Sequence, residues 1–304
     1  MHISPHNQPL VSERPSLSSR YEALTFGDFN VNGSCLTAGV QTNSLLQPLR
    51  LSVLVPVYNE RDVVEESLRR LLSLEHFLIS TLEVIVVDDR STDGTWDILQ
   101  RLATEDDRII LLRNERNLGK GGALRTAIAH ATGDVAVPHD ADLECNPTDI
   151  PSLLLPFAKE RADAVYGSRF LPGNSYRRVL NKRHTAVNRM LTSLTNWLTD
   201  LNLSDMETCY KAVRLDLLKS IPLRSNDFRF EVEITFKLAK RKAKMFEVPI
   251  HYSPRSRDEG KKMRAKDGIL ALVCMLRFWL TDDYYIKDQC SSPALAKSEY
   301  RATI

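Results

Sequence analysis

Between residues 51 and 168 the chain repeats one unit: a short unbroken apolar run, an abrupt polar cluster, then a stretch with helical period. The runs LSVLVPV (51–57), LEVIVVDD (82–89), RIILLR (108–113), DVAVP (134–138) and ADAVYGS (162–168) read as five strands. Unbroken rather than alternating hydrophobicity belongs to strands covered on both faces, as in a parallel sheet. Between them, RDVVEESLRRLLSL (61–74) places Val63, Val64, Ser67, Leu68, Leu71 and Leu72 on one helical face. GTWDILQRLA (94–103) and GKGGALRTAIAHA (119–131) read as two further helices. This alternation predicts right-handed βαβ units: an α/β fold with a mostly parallel sheet and helices on both faces. Such sheets bind ligands outside the carboxyl ends of their strands. The polar clusters fall there: Asn59 and Glu60 after the first strand, Asp88 and Asp89 after the second, Asp140 and Asp142 after the fourth.

The rest of the sequence narrows the class. Residues 1–48, rich in Ser, Asn, Thr and Pro, read as a disordered leader. Residues 49–287 read as a single domain and 288–304 as a flexible tail. A net charge of +2 gives no general attraction to polyanions, so no nucleic-acid partner is expected. The five cysteines form no C-x-x-C pair, which argues against a zinc knuckle or a disulfide framework and suits a reducing cytoplasm. No signal-peptide pattern is present. The longest apolar run, ILALVCML (269–276), falls far short of the roughly 20 residues of a bilayer span, so no transmembrane helix is expected.

The segment VPHDADLECNP (137–147) crowds Asp140, Asp142 and Glu144 at every second position. Three carboxylates this close repel one another unless a cation sits among them. Mg²⁺ satisfies such a group, binding through one or two carboxylates and the phosphates of a substrate. The plainer account is a loop start, with Asn146-Pro147 as a turn; position at a strand's carboxyl end, beside two more polar clusters, favours the cation. NLGKGG (117–122) admits two accounts: a phosphate cradle of free backbone N–H groups, with Lys120 as a further contact, or close packing of helix on strand. It lacks Walker A spacing. For Glu60 and Asp88, helix capping or dipole compensation is the alternative to ligand binding.

The motifs VPVYNE, VVDDRSTDGT, NLGKGGAL, HDADLE and YGSRF, in that order, resemble the family 2 glycosyltransferases of GT-A (nucleotide-diphospho-sugar transferase) fold. Within them the likeness is to the dolichyl- and polyprenyl-phosphate hexose transferases, and it runs from about residue 51 to 280. The resemblance implies a metal-dependent, inverting transfer of a hexose from a nucleotide sugar, of GDP-mannose or UDP-glucose type, to a polyprenyl phosphate. A soluble hydroxyl acceptor is the alternative. A sugar-phosphate nucleotidyltransferase is more remote, because VPVYNERD stands where such enzymes carry a Gly-rich, Arg-bearing loop.

The resemblance also implies roles for residues. Pro56, Tyr58, Glu60, Val87 and Asp89 would hold the nucleoside, with Asp89 accepting hydrogen bonds from the base. Asp140, Ala141 and Asp142 would hold Mg²⁺ or Mn²⁺ on the diphosphate, with Glu144, where relatives carry Gln, as a third metal ligand. Lys120 would touch the donor. Arg169 would meet phosphate beside Ser168, so that Arg169→Ala costs binding and not folding. The late loop VPIHYSPRSRDEGKKMRAKDG (248–268) would bring Arg255 and Lys261 to the diphosphate; the family's Gly-x-Ser-Lys is here Asp258-Glu259-Gly260-Lys261, leaving Lys261 and Lys262 open in register. Asp142, Arg169 and Lys261 would carry catalysis. The surrounding stretch 237–266 holds eleven Lys or Arg against three acids.

A polyprenyl phosphate is already anionic and needs no general base, whereas an alcohol does; Glu231 and Glu233 are the candidates in that case. No Gln-x-x-Arg-Trp motif is present, against chain elongation. Two helices, 183–201 and 269–280, carry apolar stripes with Trp197 and Trp279. These fit either packing onto their own domain or, as the resemblance implies, attachment to a membrane surface beside the acceptor.

Overall fold

The computed structural model describes residues 46–173, 178–227, 229–255 and 265–281, with the main chain alone for Arg183 and 265–271. Nearly all of the expected leader and the whole of the expected tail lie outside them. A seven-stranded sheet runs β1 (Leu49–Val57), β2 (Ile79–Asp88), β3 (Ile109–Arg113), β4 (Val135–Pro138), β5 (Ala164–Ser168), β6 (Lys211–Arg214) and β7 (Met245–Pro249). Its spatial order is β3-β2-β1-β4-β6-β5-β7. β1 pairs in parallel with β2 and β4, β2 with β3, and β5 with β7.

The apolar runs are unbroken because both faces are covered. Along β1, Leu51, Val53, Val55 and Val57 enter one core layer and Leu54 the other; along β2, Val84 and Val86 oppose Ile85 and Val87 in the same way. The first layer is closed by α1 (Val64–Leu72), α2 (Thr95–Glu105) and α4 (Ile150–Glu160), the second by α3 (Lys120–His130), α6 (Leu215–Ser220) and α7 (Arg229–Lys240). Each fully buried Val or Leu contributes about 1.5–3 kcal/mol. A third cluster lies outside the sheet. There Leu191 of α5 (Lys182–Thr199) and Cys274, Met275 and Phe278 of α8 (Ala265–Leu280) pack on Val232 and Phe236 of α7.

All five expected strands form, but the fifth does not join the fourth. β6 is inserted between them and runs antiparallel to both. A four-residue strand leaves no periodic signal, and its pairing depends on residues far away in the chain. The inversion has a consequence for the site: the segment leading into β6 arrives at the rim formed by the carboxyl ends of β4 and β5. Among the described residues no helix is long and apolar enough to cross a membrane.

Candidate active site

A cavity of about 320 Å³ opens at that rim, within the range typical of small-molecule sites. It draws walls from the ends of β1, β2, β4 and β5, the turn before α3, the segment before β6, α7 and the stretch after β7. Pro56, Tyr58, Glu60, Asp89, Lys120, Asp140, Ala141, Asp142, Glu144, Arg169 and Arg255 all line it. Residues up to 195 apart in the chain meet here. Lys261 lies outside the described residues.

The two aspartates of the crowded segment sit in opposite electrostatic settings. Asp140 accepts a hydrogen bond from Lys120 Nζ at 2.9 Å. Burial would raise its carboxyl, but Lys120 holds it below the usual carboxylate range. Burial would likewise lower Lys120; Asp140 and Glu231 more than offset this and hold its ammonium well above the ordinary value. Asp142 has no cation as close. Burial, then Asp140 and Glu144, push it up to about 6, and Arg255 Nη2 at 3.3 Å compensates weakly. The rim is therefore short of positive charge at Asp142, which is the condition a dication relieves. Among the described residues no three His, Cys, Asp or Glu side chains converge on one metal position. Two carboxylates completed by substrate oxygens fit Mg²⁺ or Mn²⁺ better than a closed protein cage.

The late strand's continuation closes the cavity. Arg255 donates from Nη1 and Nη2 to Glu60 at 3.0 and 3.3 Å, while its Nε is buried without a partner. Glu144 holds this stretch in place: one oxygen accepts from Tyr252 Oη at 2.6 Å, the other from Arg255 N at 2.8 Å. Glu60 is thus an ion-pair partner rather than a helix cap. Asp88 is structural, paired with Arg113 and accepting from Ser91 N.

Several sequence expectations meet a different arrangement. The Gly-rich turn is not an open phosphate cradle: Leu118 N and Gly119 N donate to Asp89, and Gly122 N to Asn226 O. A Cβ on Gly119, whose φ is +80°, would stand 2.4 Å from Asn226 O, so glycine serves close approach of two backbones. Asp89 also accepts from Asn114 Nδ2. It lines the cavity while tying the turn. Val87 does not reach the cavity; its side chain is buried in the α3-side core, beside Pro56, its register partner on β1. Ser168 Oγ accepts from Phe170 N and Leu171 N and shares a hydrogen bond with Ser204. Glu233 lies away from the cavity and anchors Arg224 N, Ser225 N and Lys237. Much of the basic stretch 237–244 is likewise structural: Lys237, Lys240 and Lys244 cap backbone carbonyls of Pro222, Thr281 and Glu160.

Arg169 lines the cavity, but its guanidinium is committed to Asp205. It donates from Nε and Nη2 at 2.6 and 2.7 Å, and the carboxylate is fully buried. Burial would lower Arg169; Asp205 raises it further. The plane also lies over the ring of Tyr252. Sequence reading missed Glu207, Thr208, Cys145, Cys209 and Tyr252, all cavity residues. Glu207 and Thr208, in DMETCY, carry no motif; only the inverted strand brings them here.

Residues 52–221 match the family model described as "Glycosyl transferase family 2". The chain belongs to that family. This glycosyltransferase is 30% identical over 219 residues to a dolichol-phosphate mannosyltransferase of Pyrococcus furiosus, covering 70% of this chain and 59% of that protein. It is 32% identical over 225 residues to an undecaprenyl-phosphate mannosyltransferase of Micrococcus luteus, covering 70% and 87%. The chain therefore spans under two thirds of the archaeal relative and most of the bacterial one. Its fold matches glucosyl-3-phosphoglycerate synthase from Mycobacterium tuberculosis, solved with Mn²⁺, uridine diphosphate and glucosyl-3-phosphoglycerate. The TM-score is 0.58 at 22% identity, over 77% of this chain and 81% of that one. The sheet of this family 2 glycosyltransferase is thus a GT-A sheet.

Proposed function

We propose that this glycosyltransferase moves a hexose from a nucleotide sugar, of GDP-mannose or UDP-glucose type, to a polyprenyl phosphate, inverting the anomeric centre. The observation that carries the reading is the pair of rim aspartates, Asp140 neutralised by Lys120 and Asp142 only weakly compensated by Arg255. These two would hold Mg²⁺ or Mn²⁺; Glu144, with both oxygens engaged by Tyr252 and Arg255, positions the late loop instead. When bound, the dication supplies Lewis-acid stabilisation of the charge on the departing phosphate oxygens.

The chain's own residues do the rest. Pro56, Tyr58 and Asp89 form the nucleoside wall. Arg255, with a free Nε, offers a donor to the diphosphate, and Lys261, six residues further along the sequence, would be a second. Glu231, flanked by Lys120 and Lys211 at 3.1 and 2.6 Å, is their counter-charge. No general base is required, because a phosphate oxygen attacks as an anion.

The names of the two mannosyltransferase relatives support the lipid-phosphate acceptor. So does the surface: Met190 and Trp197 on α5 and Val273, Leu276, Trp279 and Leu280 on α8 are exposed apolar side chains. Such helices suit a membrane interface, with the protein peripheral to the membrane. Incubation with radiolabelled GDP-mannose and UDP-glucose, Mg²⁺ or Mn²⁺ and total membrane lipid tests the reading. Label should move into the organic phase. Label transferred only to water-soluble product would establish the soluble-acceptor alternative, and no transfer in either phase would defeat both.

A further inference from the structure

In the cavity wall before β6, two neighbouring side chains present buried polar atoms with no partner. Glu207 Oε1 and Thr208 Oγ1 make no hydrogen bond, and both residues line the cavity. Buried polar groups in native proteins are nearly always paired, so adjacent orphans call for a ligand. The sheet order says which part of a ligand reaches them. The nucleoside wall belongs to β1 and β2, the diphosphate aspartates follow β4, and β6 lies on the far side of β4 from β1. A nucleotide sugar laid along that rim runs nucleoside, diphosphate, sugar, in the same direction. Its hexose arrives at Glu207 and Thr208.

We infer that Glu207 and Thr208 form the hexose subsite and bind hydroxyl groups of the transferred sugar. This rests on the donor reading above. The chemistry suits a hydroxyl, which both donates and accepts. A threonine hydroxyl does the same. Burial pushes the Glu207 carboxyl up to about 7; Lys211 and Arg169 pull it down, while Glu231 and Asp205 push it up. Near neutrality it therefore spends much of its time protonated, with one O–H to donate and an oxygen to accept. Neither residue touches the reacting bond in this arrangement; both orient the sugar and select among its epimers.

The test is calorimetry with Mn²⁺, comparing GDP-mannose with GDP and UDP-glucose with UDP, on wild type, Glu207→Ala, Glu207→Gln and Thr208→Val. The sugar nucleotide that wild type binds should weaken about 10- to 100-fold in Glu207→Ala, the range for losing a hydrogen bond to a polar or charged group. Its nucleoside diphosphate should bind unchanged, which also shows that the variant is folded. Glu207→Gln, keeping a donor and an acceptor, should retain most of the affinity, and Thr208→Val should lose part of it. The inference is overturned if both ligands weaken equally, if neither changes, or if the lipid transfer assay on the same variants shows a raised KM for polyprenyl phosphate alone. Wild type binding GDP or UDP but neither sugar nucleotide more tightly would also overturn it while leaving the nucleotide site standing. Wild type binding none of the four would sink the donor reading itself.

Discussion

Replacing Arg169 by alanine should unfold this protein more readily, whatever it does to activity. Arg169 makes two charge-assisted hydrogen bonds to Asp205, whose other side-chain partners are Arg169 N at 3.1 Å and Asn188 Nδ2 at 3.0 Å. The substitution deletes two of four bonds and leaves a fully buried carboxylate without its cation. Each lost bond to a charged group is worth about 1.5–3 kcal/mol, and breaking a buried pair from one side costs about 3–5 kcal/mol. Loss of the guanidinium over Tyr252, at 4.9 Å from the ring centre, adds about 0.5–1 kcal/mol. The expected total is about 4 kcal/mol. For a domain of this size, that lowers Tm by about 8–16 °C. Urea denaturation at neutral pH measures it, with Asp205→Leu/Arg169→Met as the companion. Replacing both charges by apolar side chains should recover most of the loss, because the penalty lies in the unpaired partner. An Arg169→Ala midpoint within about 1 kcal/mol of wild type would refute the reasoning and return Arg169 to the role of a free phosphate contact.

Other outcomes follow from the same geometry. Asp142→Asn should leave the fold intact and abolish turnover, and EDTA should silence wild type until Mg²⁺ or Mn²⁺ is restored; transfer assays on both check this. Gly119→Ala should destabilise the chain by at least about 2 kcal/mol in urea, since left-handed strain alone costs about 1–3 kcal/mol and a Cβ would press on Asn226 O. The Glu207 carboxyl, raised in the fold from 4.5 to about 7, binds its proton more tightly than in the unfolded chain. Its contribution is therefore lost as pH rises from about 4.5 to 7, by about 3 kcal/mol in all. Glu207→Gln should match wild type in Tm at pH 4 and exceed it at pH 8; equal melting at both would remove the shift.

The first five strands, the first three helices and the row of polar clusters at the strand ends were legible in the sequence. Hydrophobic runs report how many faces of a segment are covered, and that is a local property. The order VPVYNE, VVDD, HDADLE therefore located the rim, and with it Glu60, Asp89, Asp140 and Asp142. What those side chains do with one another was not legible. Arg169 and Asp205 are 36 residues apart, and Glu60 and Arg255 are 195 apart. Whether a buried charge meets a ligand or a counter-charge is decided by which distant segment packs beside it. Val87 shows the same limit at one position: it and its register partner Pro56 share a face of the sheet, yet Val87 is covered by the α3-side core while Pro56 reaches the cavity. The insertion of β6 decided most. Four residues too short to show a period, paired antiparallel, carry Glu207 and Thr208 to the aspartates' rim, and only the assembled sheet, by burying Glu207 Oε1 and Thr208 Oγ1 without partners, marks them as a place for a ligand.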